Sequence, residues 1–582
     1  MNLSKLAILR SAQGLHDLAT LLTYEPKKLS YVIYKMPNRY TQFTIPKSSG
    51  GTRSIAAPRE ELKALQVKVS KLLQQCIHNM NADLNITTSL SHGFTIGHSI
   101  MTNADLHRKK RYVFNIDIEN FFGSIHRGRV FGFLTKNKSF SLNPKVARAL
   151  AQVACHEDAL PQGAPSSPVF SNLIGHLIDI RLVELAAKLG CSYSRYADDI
   201  TFSTNKKTFP KEIALVSPIN GWVASPTLIK IVAKCGFTLN PNKTRMQYQE
   251  SRQSVTGLTV NRKINSPAVY RHQVRAMAHN LFNTGSFSVQ DKDPKLKSKT
   301  PGTINQLGGM LSYIYMVNKF NRSKIVENSA IREEDIKLSA MEKVHADFLF
   351  YQNFYANQKI TILCEGKTDN IYLQCAMKSL AKKYTILAKL NTEGKAELNV
   401  RFFKYSGLTH RLLDLYGGTG DIGELIKRYV SCCGKYKNHP FKHPTIIVVD
   451  NDEGSQKIFT ALKVVTGNKY VVGTGKAQKF DKTLEFYYVA QNLYVVFTPL
   501  KISGEDTMME DFFTPETLNS IVDGQRFSVV HKAPNQLVYS KHTFSQKVVK
   551  ANQSNINFIG FTPVLDRIQN AAKHFYSLSP WK

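Results

Sequence analysis

At 582 residues the chain is too long for one hydrophobic core, and units of roughly 100–200 residues are expected to pack separately. Apolar residues make up 42% and charged residues 21%, a globular balance that excludes a largely disordered chain. The 77 Lys and Arg outnumber the 43 Asp and Glu, leaving a formal charge of +34. Such an excess repels itself unless a polyanion, most often nucleic acid, neutralises it.

The opening segment MNLSKLAILRSAQGLHDLATLL sets Leu3, Leu6, Leu15, Leu18 and Leu22 at helical spacing and is interrupted by charges, unlike a secretory leader. No apolar run approaches the ~20 residues of a membrane span, so a cytoplasmic protein without membrane contact is expected. The eight cysteines contain no CxxC pair, which argues against a structural zinc site and against a disulfide scaffold. Residues 1–110 alternate helical stretches with a β-like element from Phe43 to Pro58, and residues 111–260 hold apolar strand candidates separated by helices. From about 265 the pattern is helical, broken by the exposed-loop sequence DKDPKLKSKTPG, and a new α/β pattern begins at Lys359. The main boundary is placed near 355.

Chemistry enters at the end of the strand candidate Tyr112 to Ile116, which delivers Asp117. About eighty residues later CSYSRYADDITFST reads as two short strands joined at Ala197-Asp198-Asp199, a tight hairpin presenting both carboxylates. If these strands are neighbours, the three carboxylates have too little room to stay charged without metal ions, the requirement of two-metal nucleotidyl transfer. Between them, LPQGAPSSPVFSNLI forces a shaped loop before an apolar helix. Upstream, FTIPKSSGGTRSIAAP places Lys47 and Arg53 around two glycines, suited to a triphosphate, and downstream KCGFTLNPNKTR puts Lys243 in a turn-rich stretch.

In this order the blocks IPK…R, FNIDIENFF, LPQGAPSSP, YADD and GFTLNPNKTR resemble reverse transcriptases over roughly residues 20–320. The resemblance implies a right-hand polymerase of fingers and palm (1–264) and helical thumb with linker (265–355). It further implies that Lys47 and Arg53 hold dNTP phosphates, that Asp117, Asp198 and Asp199 bind two Mg²⁺, and that Gln162 and Gly163 line the nucleotide and template pocket. Phe122 matches the side chain that collides with a ribose 2′-OH, and Lys243 is a candidate proton donor to pyrophosphate or a phosphate contact. Asn103-Ala104-Asp105-Leu106-His107 matches the NAxxH element of retron enzymes, and Val255-Thr256-Gly257 matches their VTG element. Asn103, His107, Val255, Thr256 and Gly257 are therefore expected to contact RNA, with Arg271, Arg275, Lys295 and Lys297 as further candidates. The retron family binds a structured non-coding RNA (msr-msd), primes from a guanosine 2′-OH and leaves branched msDNA.

From Lys359, KITILCEGKTDN gives a buried strand ending at Glu365, and HPTIIVVDNDEG gives another ending at Asp450 and Asp452. Acidic groups at the C-terminal ends of parallel strands stand where α/β sheets bind ligands. The pair EGxTD and DxDxG resembles the TOPRIM domain of topoisomerases, primases and OLD-family nucleases, which implies a Rossmann-like α/β domain with a C-terminal extension over 356–582. By that resemblance Glu365, Asp450 and Asp452 hold one Mg²⁺, Glu365 serving also as acid or base, and Glu510 and Asp511 are candidates for a second. The combination implies a nuclease effector in anti-phage defence acting on a nucleic acid, and leaves a homo-oligomer open. Two other readings are an intron-type bacterial reverse transcriptase, without a visible maturase or Cys/His module, and a ribonucleoprotein scaffold with an inactive TOPRIM domain.

Overall fold

The computed structural model describes residues 4–46, 50–83, 90–219, 221–290, 298–438, 441–466, 470–472, 475–477, 481–528 and 538–578. Lys47, Lys295 and Lys297 lie outside the described residues. The chain divides into two compact units: residues 1–271 with 290–299 and 316–329, and residues 272–289 and 300–315 with 330–582. The helical stretch between 265 and 355 is divided between the two. Among the described residues no helix is long and apolar enough to cross a membrane.

In the first unit a hairpin of β1 (Tyr40–Pro46) and β2 (Thr52–Pro58) pairs in continuous register from Tyr40↔Pro58 to Pro46↔Thr52, with Gly50 and Gly51 at positive φ immediately before β2. The helix Glu60–Asp83 follows, burying Leu62, Leu65, Val69, Leu72, Leu73, Cys76 and Met80 at three- and four-residue steps, the stripe that faces a core. The central sheet holds β3 (Tyr112–Asp117), β4 (Ser192–Tyr196), β5 (Asp199–Thr204) and β6 (Arg245–Tyr248) in the antiparallel order β4-β5-β3-β6. β3 is buried from Val113 to Asp117, which explains its near-continuous apolar run. The helix Ser167–Lys188, opened by Pro168, packs on β4.

The second unit is built on a seven-stranded sheet. Its strands are β7 (Ile360–Cys364), β8 (Val400–Phe402), β9 (Thr445–Val449), β10 (Tyr470–Val472), β11 (Gly475–Ala477), β12 (Tyr487–Ala490) and β13 (Leu493–Phe497), in the order β8-β7-β9-β13-β12-β10-β11. β8, β7, β9 and β13 run parallel, and the remaining three are antiparallel. Ile362, Leu363, Ile446, Ile447, Val448, Val495 and Val496 are fully buried, as strands covered on both faces require. Both expected acidic ends, at Glu365 and Asp450, follow parallel neighbours β7 and β9.

Candidate active sites

Asp117 and Asp199 are register partners at the ends of β3 and β5, and Tyr196 pairs with Asp199 across the β4–β5 hairpin, so Ala197 and Asp198 form a two-residue turn. Ala197 has φ 56°, a left-handed conformation that costs an alanine energy and must be held by its surroundings. The amide of Ile118 donates to the Asp198 carbonyl at 3.0 Å, which ties the turn to the strand carrying Asp117. Lys243 Nζ lies 2.8 Å from Asp117 Oδ2. Burial raises the Asp117 carboxyl, the Lys243 hydrogen bond draws it back, and Asp198 raises it again. Loss of water, then Asp198 and Asp117, push the Asp199 carboxyl up to about 6, although the residue keeps an exposed face. Three carboxylates thus crowd one end of the sheet, with Lys243 and Arg245 as the opposing charges.

The LPQG loop meets the hairpin by backbone: the Ala56 amide donates to the Gln162 carbonyl at 2.8 Å. At Gly163, φ 120°, a Cβ would stand 2.9 Å from the Ala56 carbonyl oxygen, so only glycine fits. Arg53 is exposed on β2. Phe122 is partly buried, its ring 5.6 Å from that of the buried Phe121.

Of the expected RNA contacts, the structure buries Asn103, His107 and Val255. Asn103 and His107 are buried, at 1% and 0% exposure. Ser194 Oγ donates to Asn103 Oδ1 at 2.7 Å, and its one proton is thereby used. His107 Nε2, 2.7 Å from Ser194 Oγ, is therefore the donor there, and Nδ1 accepts from Ser203 Oγ at 2.7 Å. Burial pushes the ring down to about 3, so it is neutral. NAxxH is a strut behind β4 and β5. Val255 is buried too, and Thr256 (φ 46°) with Gly257 (φ 79°) forms the two-residue turn between Ser254–Val255 and Leu258–Thr259. Thr256 Oγ1 donates to the Ile100 carbonyl at 3.1 Å, joining VTG to NAxxH, and only Gly257 is exposed. Arg271 donates to the Ser266 carbonyl and Arg275 to Met341 Sδ.

In the second unit the Glu365 amide donates to the Val448 carbonyl at 3.2 Å, so the ends of β7 and β9 stay together. Glu365 Oε2, Asp450 Oδ1 and Glu510 Oε1 are buried with no hydrogen-bond partner among the described residues. Burial, then Asp452 and Asp369, push Glu365 up to about 7. Burial, Asp369, Glu510 and Glu365 hold Asp450 well above the usual carboxylate range. Lys541 Nζ contacts Glu510 Oε2 at 3.0 Å; burial works against its ammonium, but Glu510, Asp450 and Asp369 keep it above its ordinary value. The Gly417-Gly418 segment is tied to this end, the Gly418 amide donating to the Glu365 carbonyl at 3.1 Å. Asp452 Oδ1 accepts from the Ser455 amide at 3.2 Å.

Asp511 is corrected: exposed, it accepts from the Met508 amide at 2.8 Å and caps a 3₁₀ turn instead of joining the cluster. Two members were missed. Asp369 is buried and accepts from the Gly366 amide at 2.7 Å, and it was visible as the last letter of EGxTD. Lys541 had no local signal, because it arrives from far along the chain. Among the described residues, no three His, Cys, Asp or Glu side chains already form a group able to hold a metal ion. The donor sets still suit a hard divalent cation: both are carboxylate-only, and in the second unit the three carboxylate oxygens named above lack a hydrogen-bond partner among the described residues. Lys243 and Lys541 supply the compensating charge in the arrangements described.

A hairpin beside an antiparallel sheet whose carboxylates cluster at one end defines the first unit as a polymerase palm with fingers. The reverse transcriptase (RNA-dependent DNA polymerase) family profile matches residues 45–261. The retron Ec86 reverse transcriptase of Escherichia coli is 31% identical over 280 residues, covering 48% of this chain and 81% of that protein. The retron Mx162 reverse transcriptase of Myxococcus xanthus is 34% identical over 304 residues, 48% of this chain. The chain belongs to the retron reverse transcriptase family. It spans 58% of the length of the Mx162 enzyme and 61% of the Mx65 enzyme. Apo telomerase from Candida tropicalis aligns over 54% of this chain and 62% of that one at 12% identity with a TM-score of 0.30, too low for the assignment to rest on it.

Proposed function

We propose that the first unit is an RNA-directed DNA polymerase that copies a structured msr-msd RNA into branched msDNA, primed from a guanosine 2′-OH. The observation that carries this reading is the register opposition of Asp117 and Asp199, with Asp198 in the adjoining turn. Asp117, Asp198 and Asp199 would hold two Mg²⁺, which when bound supply Lewis-acid stabilisation of the triphosphate and activation of the primer hydroxyl. Lys243, already beside Asp117 Oδ2, neutralises the leaving pyrophosphate or gives it a proton. Gln162 and Gly163, docked on β2, present one wall for the incoming dNTP, and Arg53 with Lys47 is assigned to its phosphates. Phe122 is assigned to exclusion of the ribose 2′-OH.

The reading extends to the second unit as an Mg²⁺-dependent TOPRIM-type nuclease serving anti-phage defence. It is supported by the oxygens of Glu365, Asp450 and Glu510 that have no hydrogen-bond partner among the described residues: burial and mutual repulsion penalise their charged forms, and a divalent cation would offset that penalty. Asp369 and Asp452 complete the acidic set, and one or two ions are accommodated.

Sequencing the nucleic acid that copurifies with the chain tests the first reading. Short DNA joined to RNA through a 2′,5′ bond is expected, whereas RNA alone from cells expressing the intact chain would remove the msDNA assignment.

A further inference from the structure

Phe94 has φ 59°, a left-handed conformation that a bulky aromatic residue adopts only when its surroundings impose it. Those surroundings are the catalytic turn. The segment from Leu90 runs alongside β4: the Arg195 amide donates to the Leu90 carbonyl at 3.1 Å, and the His92 amide donates to the Arg195 carbonyl at 2.8 Å. Gly93 then meets the turn backbone to backbone, for a Cβ there would stand 2.6 Å from the Ala197 nitrogen. Asn172 Nδ2 donates to the Gly93 carbonyl at 2.8 Å, fixing the segment from the helix that follows the LPQG loop. The next residue, Phe94, is 44% exposed despite this anchoring. Its ring meets that of Phe122 edge to face, centroids 6.4 Å apart and planes at 62°. Phe122 is thus flanked by Phe121 on its buried side and by Phe94 on its open side.

We infer that Phe94 is a second determinant of sugar selection, a positioning residue that keeps the Phe122 ring from turning aside for a ribose 2′-OH. The inference rests on the proposed role of Phe122 as the sugar gate. A strained backbone that places an exposed ring against one side chain beside the carboxylates has this use, and a solubilising loop would place a polar residue there.

The test compares dTTP and UTP incorporation on poly(rA)–oligo(dT) by the full chain carrying Phe94→Ala, Phe94→Gly, Phe94→Tyr or Phe122→Ala. Phe94→Gly relieves the backbone strain, so loss of the ring is separated from loss of the fold. Phe94→Ala and Phe94→Gly are expected to lower the dTTP:UTP preference about three- to tenfold, the ratio to which one edge-to-face pair converts. Phe94→Tyr is expected to retain it. If Phe122→Ala relaxes selection and the Phe94 variants do not, or if they lose dTTP and UTP use in step, the inference is overturned while the gate stands. If Phe122→Ala leaves the preference unchanged, the gate reading falls and takes this one with it.

Discussion

Arg195 and Asp179 form a fully buried pair directly behind the Ala197-Asp198 turn: Nε and Nη2 of the arginine each lie 2.7 Å from an Asp179 oxygen, and Nη1 donates to the Ala197 carbonyl at 3.0 Å. One guanidinium therefore joins the helix Ser167–Lys188 to the strained residue before Asp198. Removing one partner leaves the other charged and without compensation, so Arg195→Ala or Asp179→Ala should cost about 3–5 kcal/mol in denaturant unfolding. Replacing both by Met and Leu should cost less than the sum of the single changes. Strict additivity would show that the pair is not coupled.

At the turn itself, Asp198→Asn and Asp199→Asn should each abolish cDNA synthesis while RNA binding persists. Normal cDNA from either variant, with binding measured in parallel, would take that carboxylate out of the metal set.

Lys243 is more than half exposed, so replacing it costs little stability, yet it touches Asp117. Lys243→Ala should lower kcat by about 10²-fold or more, the usual range for a positioned proton donor, with dNTP KM changed less. A rise in KM alone would make it a phosphate contact only.

His107 makes stability depend on pH. Its neutral form donates to the Ser194 hydroxyl and accepts from the Ser203 hydroxyl, and its folded pKa of about 3 lies below the ordinary 6.5. Between those values the unfolded chain binds the extra proton, so this contribution is fully present above pH 6.5 and is lost as pH falls toward 3, by about 1.4 kcal/mol per pH unit. His107→Gln should lower stability at pH 7.5 and flatten the decline toward pH 5. Buried His92, pushed down to about 4, leaves a residual slope. Urea midpoints at the two pH values check this, and an unchanged slope would mean the ring is not buried neutral.

Glu365→Gln should remove nuclease activity or toxicity and leave cDNA intact. Measured side by side, a variant that instead loses cDNA would show that the two units do not work separately.

The linear order of the blocks was enough to identify a reverse transcriptase, because each carries its chemistry in contiguous residues: a strand that ends in Asp117, a two-residue turn at Ala197-Asp198, a glycine at position 163 where a Cβ would strike Ala56. The strand ends at Glu365 and Asp450 were legible for the same reason, since long apolar runs announce buried parallel strands. What a side chain faces is not local. Asn103 and His107 were expected to contact RNA, and only the packing of their segment against β4 and β5 turned them inward. Asp511 looked like Glu510's equal until adjacent positions of one 3₁₀ turn pointed one carboxylate into the cluster and the other to a backbone cap. Lys541 entered the second site, and Phe94 reached Phe122, through contacts between distant segments that no spacing along the chain encodes. Sequence determined which groups were available and the local geometry presenting them; tertiary packing decided their burial and partners, because desolvation and charge coupling depend on distance in space.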